Sequence, residues 1–276
     1  MIAALRQRGW RQRRRILAVA GVLGIAGLLA GEGVVGLLLY GRLGGVAPGL
    51  VVGLAPARRR FADKIAVALL AGVIVDGAFD AVLGIGPTVT LVTILALGAI
   101  FLFEAELFNI AAGAGPTVFR ARRVVRLPRD RVWHLLVAQA GEPWEPAVAS
   151  IDIQQGPAGE RLRRGVYREG GPMGGFVRYE RTVEEDPQRY HLSEAWFEHP
   201  LMPEADLSDM QAATGTVLDE IPEGTVVSLY EGVPSYGAYL RALAWLDDMM
   251  ADHLDHFAAI AEERPDFSFK AADSGF

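Results

Sequence analysis

The sequence predicts two fold classes in one chain. A membrane α-helical region comes first, followed by an α+β domain whose curved antiparallel sheet wraps a long C-terminal helix. Three observations predict this. Residues 16–56 and 65–108 are rich in Leu, Ile, Val, Ala and Gly, and residues 65–117 contain no Lys or Arg. From residue 118 the chain becomes charged, and short alternating runs separated by turn residues replace the long apolar ones. Apolar residues at the helical period then close the domain over residues 236–263.

Composition sets the frame. The 276 residues leave room for two domains, and 51% of them are hydrophobic. Mean hydropathy is +0.24. Residues 1–117 carry a net charge of +5 and residues 118–276 a net of −11. A domain that acidic argues against nucleic acid as partner, because a phosphate backbone needs a basic surface. The absence of Cys excludes disulfides, thiolate metal sites and cysteine nucleophiles.

The first element is a basic N-terminus over residues 1–15, with six arginines among them. A secretory leader is the plain alternative, but the apolar run is long, lacks a small-x-small cleavage site and is followed by more such runs. A bilayer core of about 30 Å needs roughly 20 apolar residues per helix. The region 16–112 therefore divides into about four helices, 16–31, 34–55, 65–85 and 87–108. Basic clusters at 6–15, 58–64 and 120–126 would all lie on the cytoplasmic side of a cell's inner (plasma) membrane. That predicts a multi-pass protein with its N-terminus and C-terminal domain in the cytoplasm. A single span at 16–40 would give three crossings instead. Gly27 and Gly31 form a G-x-x-x-G step, and Gly72 belongs to a four-residue recurrence with Ala68, Asp76, Asp80 and Gly84. Such small-residue faces predict packing, within the lipid bilayer, against another helix of this chain or of other membrane subunits. Asp76 and Asp80 are the sharpest intramembrane polar groups. They read either as a relay or polar lock, or as interfacial acids near the turn at Gly84.

Residues 113–117, around Gly115 and Pro116, form a linker. A strand is predicted over 117–127 and closed by Pro128, which opens a helix over 130–140. The stretch 141–146 holds Gly, two Pro and a Trp and cannot continue that helix. Strands follow at 149–155, 160–169, 176–184, 189–197, 211–221 and 225–231, with turn residues between most of them. The long helix at 236–263 places Leu240, Leu243, Leu246, Met250, Leu254, Phe257 and Ala261 near one face. Residues 264–276 are expected to be a loose tail.

The stretches VVRLPRDRVWHLL (124–136), TVEEDPQRY (182–190) and EGTVVSLYE (223–231), with the terminal helix DDMMADHLDHFAAIAEE, carry a resemblance. Residues 118–263 resemble the START-like superfamily, also called SRPBCC or polyketide cyclase/dehydrase-like, with its helix-grip fold. The resemblance implies a cavity between sheet and helix, and members that bind lipids, sterols or polyketides, some of them as cyclases or hydrolases.

A curved sheet gripping one helix suits an apolar ligand. Trp133, Tyr179, Trp196, Tyr230, Trp245, Met249 and Phe257 are the candidate lining residues, with ordinary core burial as the plain alternative. His253 and His256 have a usable ligand spacing, but they lie among acids on a solvated face, so no metal is implied. Alternation places His191 and His199 on one strand face and Glu194 on the other. No phosphate loop, dinucleotide fingerprint or nucleophile elbow is present, so neither a cofactor nor a catalytic residue is assigned. The leading reading is a membrane-anchored binding protein for a hydrophobic small molecule, lipid, quinone or pigment-like. The alternatives are a non-catalytic accessory or assembly subunit of a membrane complex and a cyclase/dehydrase-type enzyme.

Overall fold

A computed structural model describes residues 2–29, positions scattered over 34–75, and residues 116–137, 148–156, 159–167, 177–198, 211–234, 238–269 and 271. The chain forms two compact units, Met1–Ala111 with Ala242–Asp248, and Ala112–Arg241 with Met249–Phe276.

In the first unit, α1 spans Ile2–Arg11 and α2 spans Arg13–Gly27. Arg11, Gln12, Arg14 and Arg15 converge on the end of α4, Ala238–Asp247, and on Asp248 beyond it. The Gln12 amide donates to the Asp247 carbonyl at 3.2 Å, and Arg14 donates to the Trp245 carbonyl at 3.1 Å. These are the last carbonyls of a helix, which otherwise lack donors. Arg15 is fully buried and meets the Asp247 carboxylate at 2.6 Å. Arg11 and Arg14 each reach the Asp248 carboxylate at 3.5 Å. Cations at a helix C-terminus also complement its dipole.

That arrangement corrects the expected multi-pass location in the plasma membrane. Among the described residues no helix is long and apolar enough to cross a membrane. The 15 residues of α2 span about 22 Å, well short of a bilayer core, and three of them are arginines. The N-terminal arginines were expected to mark a cytoplasmic flank, and four polar residues of that segment are instead engaged by carbonyls and carboxylates of the same chain. Gly27 and Gly72, expected to meet another helix of this chain or of other membrane subunits, are buried within this chain. Gly31, Asp76, Asp80 and the helix expected at 87–108 lie outside the described residues, as do parts of those at 34–55 and 65–85.

In the second unit the strands are β1 (Thr117–Val125), β2 (Val148–Gln155), β3 (Arg161–Tyr167), β4 (Val177–Asp186), β5 (Tyr190–Glu198), β6 (Ala212–Ile221) and β7 (Gly224–Val233). They form one antiparallel sheet ordered β1-β7-β6-β5-β4-β3-β2. Helix α3, Arg129–Leu136, starts after Pro128, whose fixed φ suits a helix boundary. Helix α5, Met249–Ala261, closes the unit. The single helix expected over 236–263 is thus two, divided at Asp248, whose φ is 49°. A non-glycine residue in this region breaks the α-helical path.

Directly opposed residues share a sheet face, so the registers define the inner face. It carries Phe119, Ala121 and Val125 of β1, Val227 and Leu229 of β7 and Leu218 of β6. These pack with Val132, Trp133 and Val137 around α3 and with Met250, Leu254, Phe257 and Ala258 of α5. Burying a side chain of Leu or Phe size contributes about 1.5–3 kcal/mol. The hairpin from β6 to β7 turns at Gly224, with φ 141°, where a Cβ would lie 2.2 Å from the Val125 carbonyl oxygen. Only glycine fits there. The neighbouring Thr225 hydroxyl donates to the Leu127 carbonyl at 2.8 Å. Together they tie the hairpin to the end of β1. A sheet closed on one face by a C-terminal helix is the helix-grip arrangement.

The expected loose tail is docked over part of its length. The Asp252 carboxylate accepts from the Phe269 amide at 2.9 Å, and buried His256 meets Asp266 and Ser268.

Candidate functional site

Toward β3, β4 and β5 the inner face changes character. Continuing the register from Thr216 and Thr214 on β6 brings in His191 and Ser193 of β5. Across the bulge in β4, His191 opposes Glu185 and Ser193 opposes Thr182, while Ala195 opposes Glu180, which in turn opposes Arg163 of β3. The side chains form a connected polar cluster. Arg163 and Arg178 each hold the Glu180 carboxylate at 2.7 Å. Arg178 also donates to the Thr214 hydroxyl at 3.3 Å, and Thr182 Oγ1 lies 3.3 Å from His191 Nε2. The Trp133 ring sits edge-on to His191, with centroids 6.3 Å apart. The cluster therefore begins where the apolar core ends.

Its protonation states follow from this geometry. Burial pushes the Glu180 carboxyl up, but Arg178 and Arg163 outweigh it and hold the pKa below the ordinary value. Burial pushes the His191 imidazole down, against the weaker pull of Glu180 and Glu185. At neutral pH the cluster thus holds an ionised Glu180 between two guanidinium groups, beside a neutral imidazole. Such a set can donate hydrogen bonds to an oxygen-bearing group and accept a proton at His191.

The face is not sealed here. The Arg163 and Arg178 side chains keep 25% and 24% of their exposure, against 13% for Glu180. Ile153 of β2, opposite Arg163, is on the same face and is 39% exposed. An apolar side chain beside a half-covered polar cluster leaves this part of the face partly open to solvent.

The sequence-based candidates divide between several places. Trp133 and Phe257 meet in the core beside this patch. Tyr179 and Trp196 stack on each other at 5.6 Å on the opposite sheet face, beyond the Arg181–Glu194 pair. Tyr230 also lies on that opposite face, with Arg120 over its ring at 5.7 Å. Trp245 belongs to the first unit, where Arg14 lies 5.1 Å from its ring. Met249 opens α5 and is 37% exposed. His256 is held by Asp266 and Ser268, while His199 lies outside the described residues. The sequence reading singled out none of Arg163, Arg178, Glu180 or Thr182. The only available signal was the alternation Arg178-x-Glu180-x-Thr182 with His191-x-Ser193 on the next strand.

No protein-family model and no curated protein matches this chain. Solved structures do resemble it. An uncharacterised protein from Rhizobium leguminosarum is 14% identical with a TM-score of 0.42, over 55% of this chain and 99% of that one. Ara h 8.0201 is 14% identical with a TM-score of 0.41, over 54% of this chain and 97% of that one. The Zhui aromatase/cyclase from Streptomyces sp. R1128 is 15% identical with a TM-score of 0.39, over 54% of this chain and 94% of that one. Similarity at this level carries no functional argument, and the helix-grip arrangement rests on the strand order and helix placement above.

Proposed function

We propose that the helix-grip domain binds a hydrophobic small molecule of lipid, quinone or pigment-like character against the inner face of its sheet. The ligand's apolar body lies along Ile153 and the edge of the α5 core, and its oxygen-bearing end meets Arg178, Thr182 and His191. The observation that carries this reading is the open patch over β2–β4. A face intended only as core would be expected to seal Ile153 under its helix and would gain nothing from a half-covered charge cluster. An amphipathic ligand satisfies both halves, with few polar groups fixing orientation in a mostly apolar site.

The test is titration of the full chain with a fluorescent dansylated fatty acid. Saturable binding is expected. Ile153→Asp and Arg178→Ala should each weaken it by about tenfold, the equivalent of roughly 1.4 kcal/mol. Equal binding by the wild type and both variants would place the ligand elsewhere.

One observation favours a second reading, an enzyme of the cyclase or dehydrase type. His191 is held neutral on the same face as an ionised Glu180, the state required of a general base. His191→Phe should then lower kcat for a polyketone far more than it raises KM. No observation favours the accessory-subunit reading.

A further inference from the structure

A concavity lies at the opposite edge of the sheet. It has a volume of about 700 Å³ and is lined by Arg122, Arg123, Val124, Arg126, Ile221, Glu223, Glu262 and Arg264. Strand β1 is the terminal strand, and β7 and β6 separate it from the polar cluster on β5. The two places are therefore distinct.

Four arginines and two glutamates give this lining a charge of +2, in a domain whose net charge is −11. The charges are not equally engaged. Arg123 turns to buried Asp255 at 3.1 Å. Glu262 accepts from the Arg126 amide at 2.8 Å and from Arg264 Nε at 2.8 Å, and is thereby fixed. Burial pushes its carboxyl up, but those hydrogen bonds and charges bring it below the ordinary range. Among the described residues the Arg122 and Arg126 guanidinium groups form no ion pair, and both residues are exposed.

The end of α5 shapes the site. The Arg264 amide donates to the Ala259 carbonyl and the Glu263 amide to the Ile260 carbonyl, at 2.9 and 3.1 Å. This is a Schellman closure, in which a left-handed residue follows the helix. That residue is Glu263, with φ 51°, at a position where glycine is the unstrained choice. The strained turn swings Arg264 back beside Arg126.

We propose that this cleft is a ligand site for a small soluble phosphate ester. Arg122 and Arg126, outside any ion pair among the described residues, suit its anionic oxygens, since forked guanidinium groups match phosphate oxygens two at a time. The volume suits a small molecule rather than a macromolecule. A charge of only +2 in so acidic a domain argues against a long polyanion.

The test is calorimetric titration of the full chain with phenyl phosphate at low ionic strength. One saturable site is expected, competed by inorganic phosphate. The Arg122→Gln/Arg126→Gln double variant should weaken binding by about tenfold or more, whereas Arg189→Gln, on the exposed β4–β5 turn, should leave it unchanged. Absence of saturable heat, or equal affinity in the double variant, would overturn the proposal. Should the double variant misfold, the wild type decides. Phenyl phosphate must shift the Nε–H resonances of Arg126 and Arg264, and unmoved resonances would refute the site. Sedimentation with phosphatidic acid vesicles without binding of the soluble ester would refute the soluble-ester assignment.

Discussion

The Glu180 substitution gives the sharpest test of the polar cluster. Glu180→Gln keeps the shape of the side chain and removes its charge. Arg163 and Arg178 then face each other across strands without the carboxylate that each holds at 2.7 Å. Exposed pairs contribute about 0.2–1 kcal/mol, while breaking a buried pair costs about 3–5 kcal/mol. Glu180 is nearly covered and its partners are about a quarter exposed, so the cost falls between these limits, at about 2 kcal/mol. With a urea dependence of about 2 kcal/mol per molar, the sheet's midpoint should fall by roughly 1 M. Because the chain has two units, the measurement should follow hydrogen exchange of the β4 and β5 amides along a urea series. The pH dependence has a defined sign. The folded pKa of Glu180 lies below its ordinary value of 4.5. Its stabilisation is therefore complete above that ordinary value and is lost as pH falls through the lower, folded one. The gap between wild type and variant should shrink over that acid window. A gap under about 0.5 kcal/mol at neutral pH would refute the reasoning, as would additive losses from Glu180→Gln and Arg163→Met in a double-mutant cycle.

Three further outcomes follow from the packing. Phe257→Ala empties a side-chain site with no exposure and should cost about 3–5 kcal/mol, read from the same amide exchange. Gly224→Ala drives a methyl group onto the Val125 carbonyl at a positive φ, so the thermal midpoint should fall by several degrees, whereas Gly159→Ala, which meets open space, should lower it less. Burial raises the Asp266 pKa, but hydrogen bonds from His256 and Ser268 hold it below the ordinary 3.8, so its contribution is present above that value and is lost as pH falls below it. Asp266→Asn should accordingly release residues 266–271 to limited proteolysis at neutral pH, where the wild type resists.

Turn chemistry made the order of elements legible. Asp186-Pro187, Pro222-Glu223-Gly224 and Pro128 punctuate the chain where the strands and α3 begin or end. Two features were not legible, and each has a long-range cause. The period of the terminal helix passes through Asp248 without Gly or Pro, so nothing local marks a break. Arg11, Gln12 and Arg14, more than 200 residues earlier in the chain, hold its end. The same arginines read as a membrane flank because charge patterning shows sign and position but not partners. The second feature is the inner face. Alternation at Val177 and Tyr179 shows that β4 has two faces, but not which one meets α5. The register gives that face to Arg178 and Glu180, and Tyr179 stacks with Trp196 on the other. Charged residues at alternate strand positions imply a wet surface until the cross-strand partner Arg163 is in place. Core burial of Trp133 and Phe257 was legible because both sit on helices whose apolar stripe turns inward.

The central claim is that the inner face holds a hydrophobic ligand, and native mass spectrometry of the full chain, with organic extraction of whatever it carries, tests it most directly. The account predicts one apolar, oxygen-bearing molecule per chain, present in the wild type and lost from Ile153→Asp. A wild type that carries no added mass, and takes up none from a mixture of fatty acids and quinones, would contradict it.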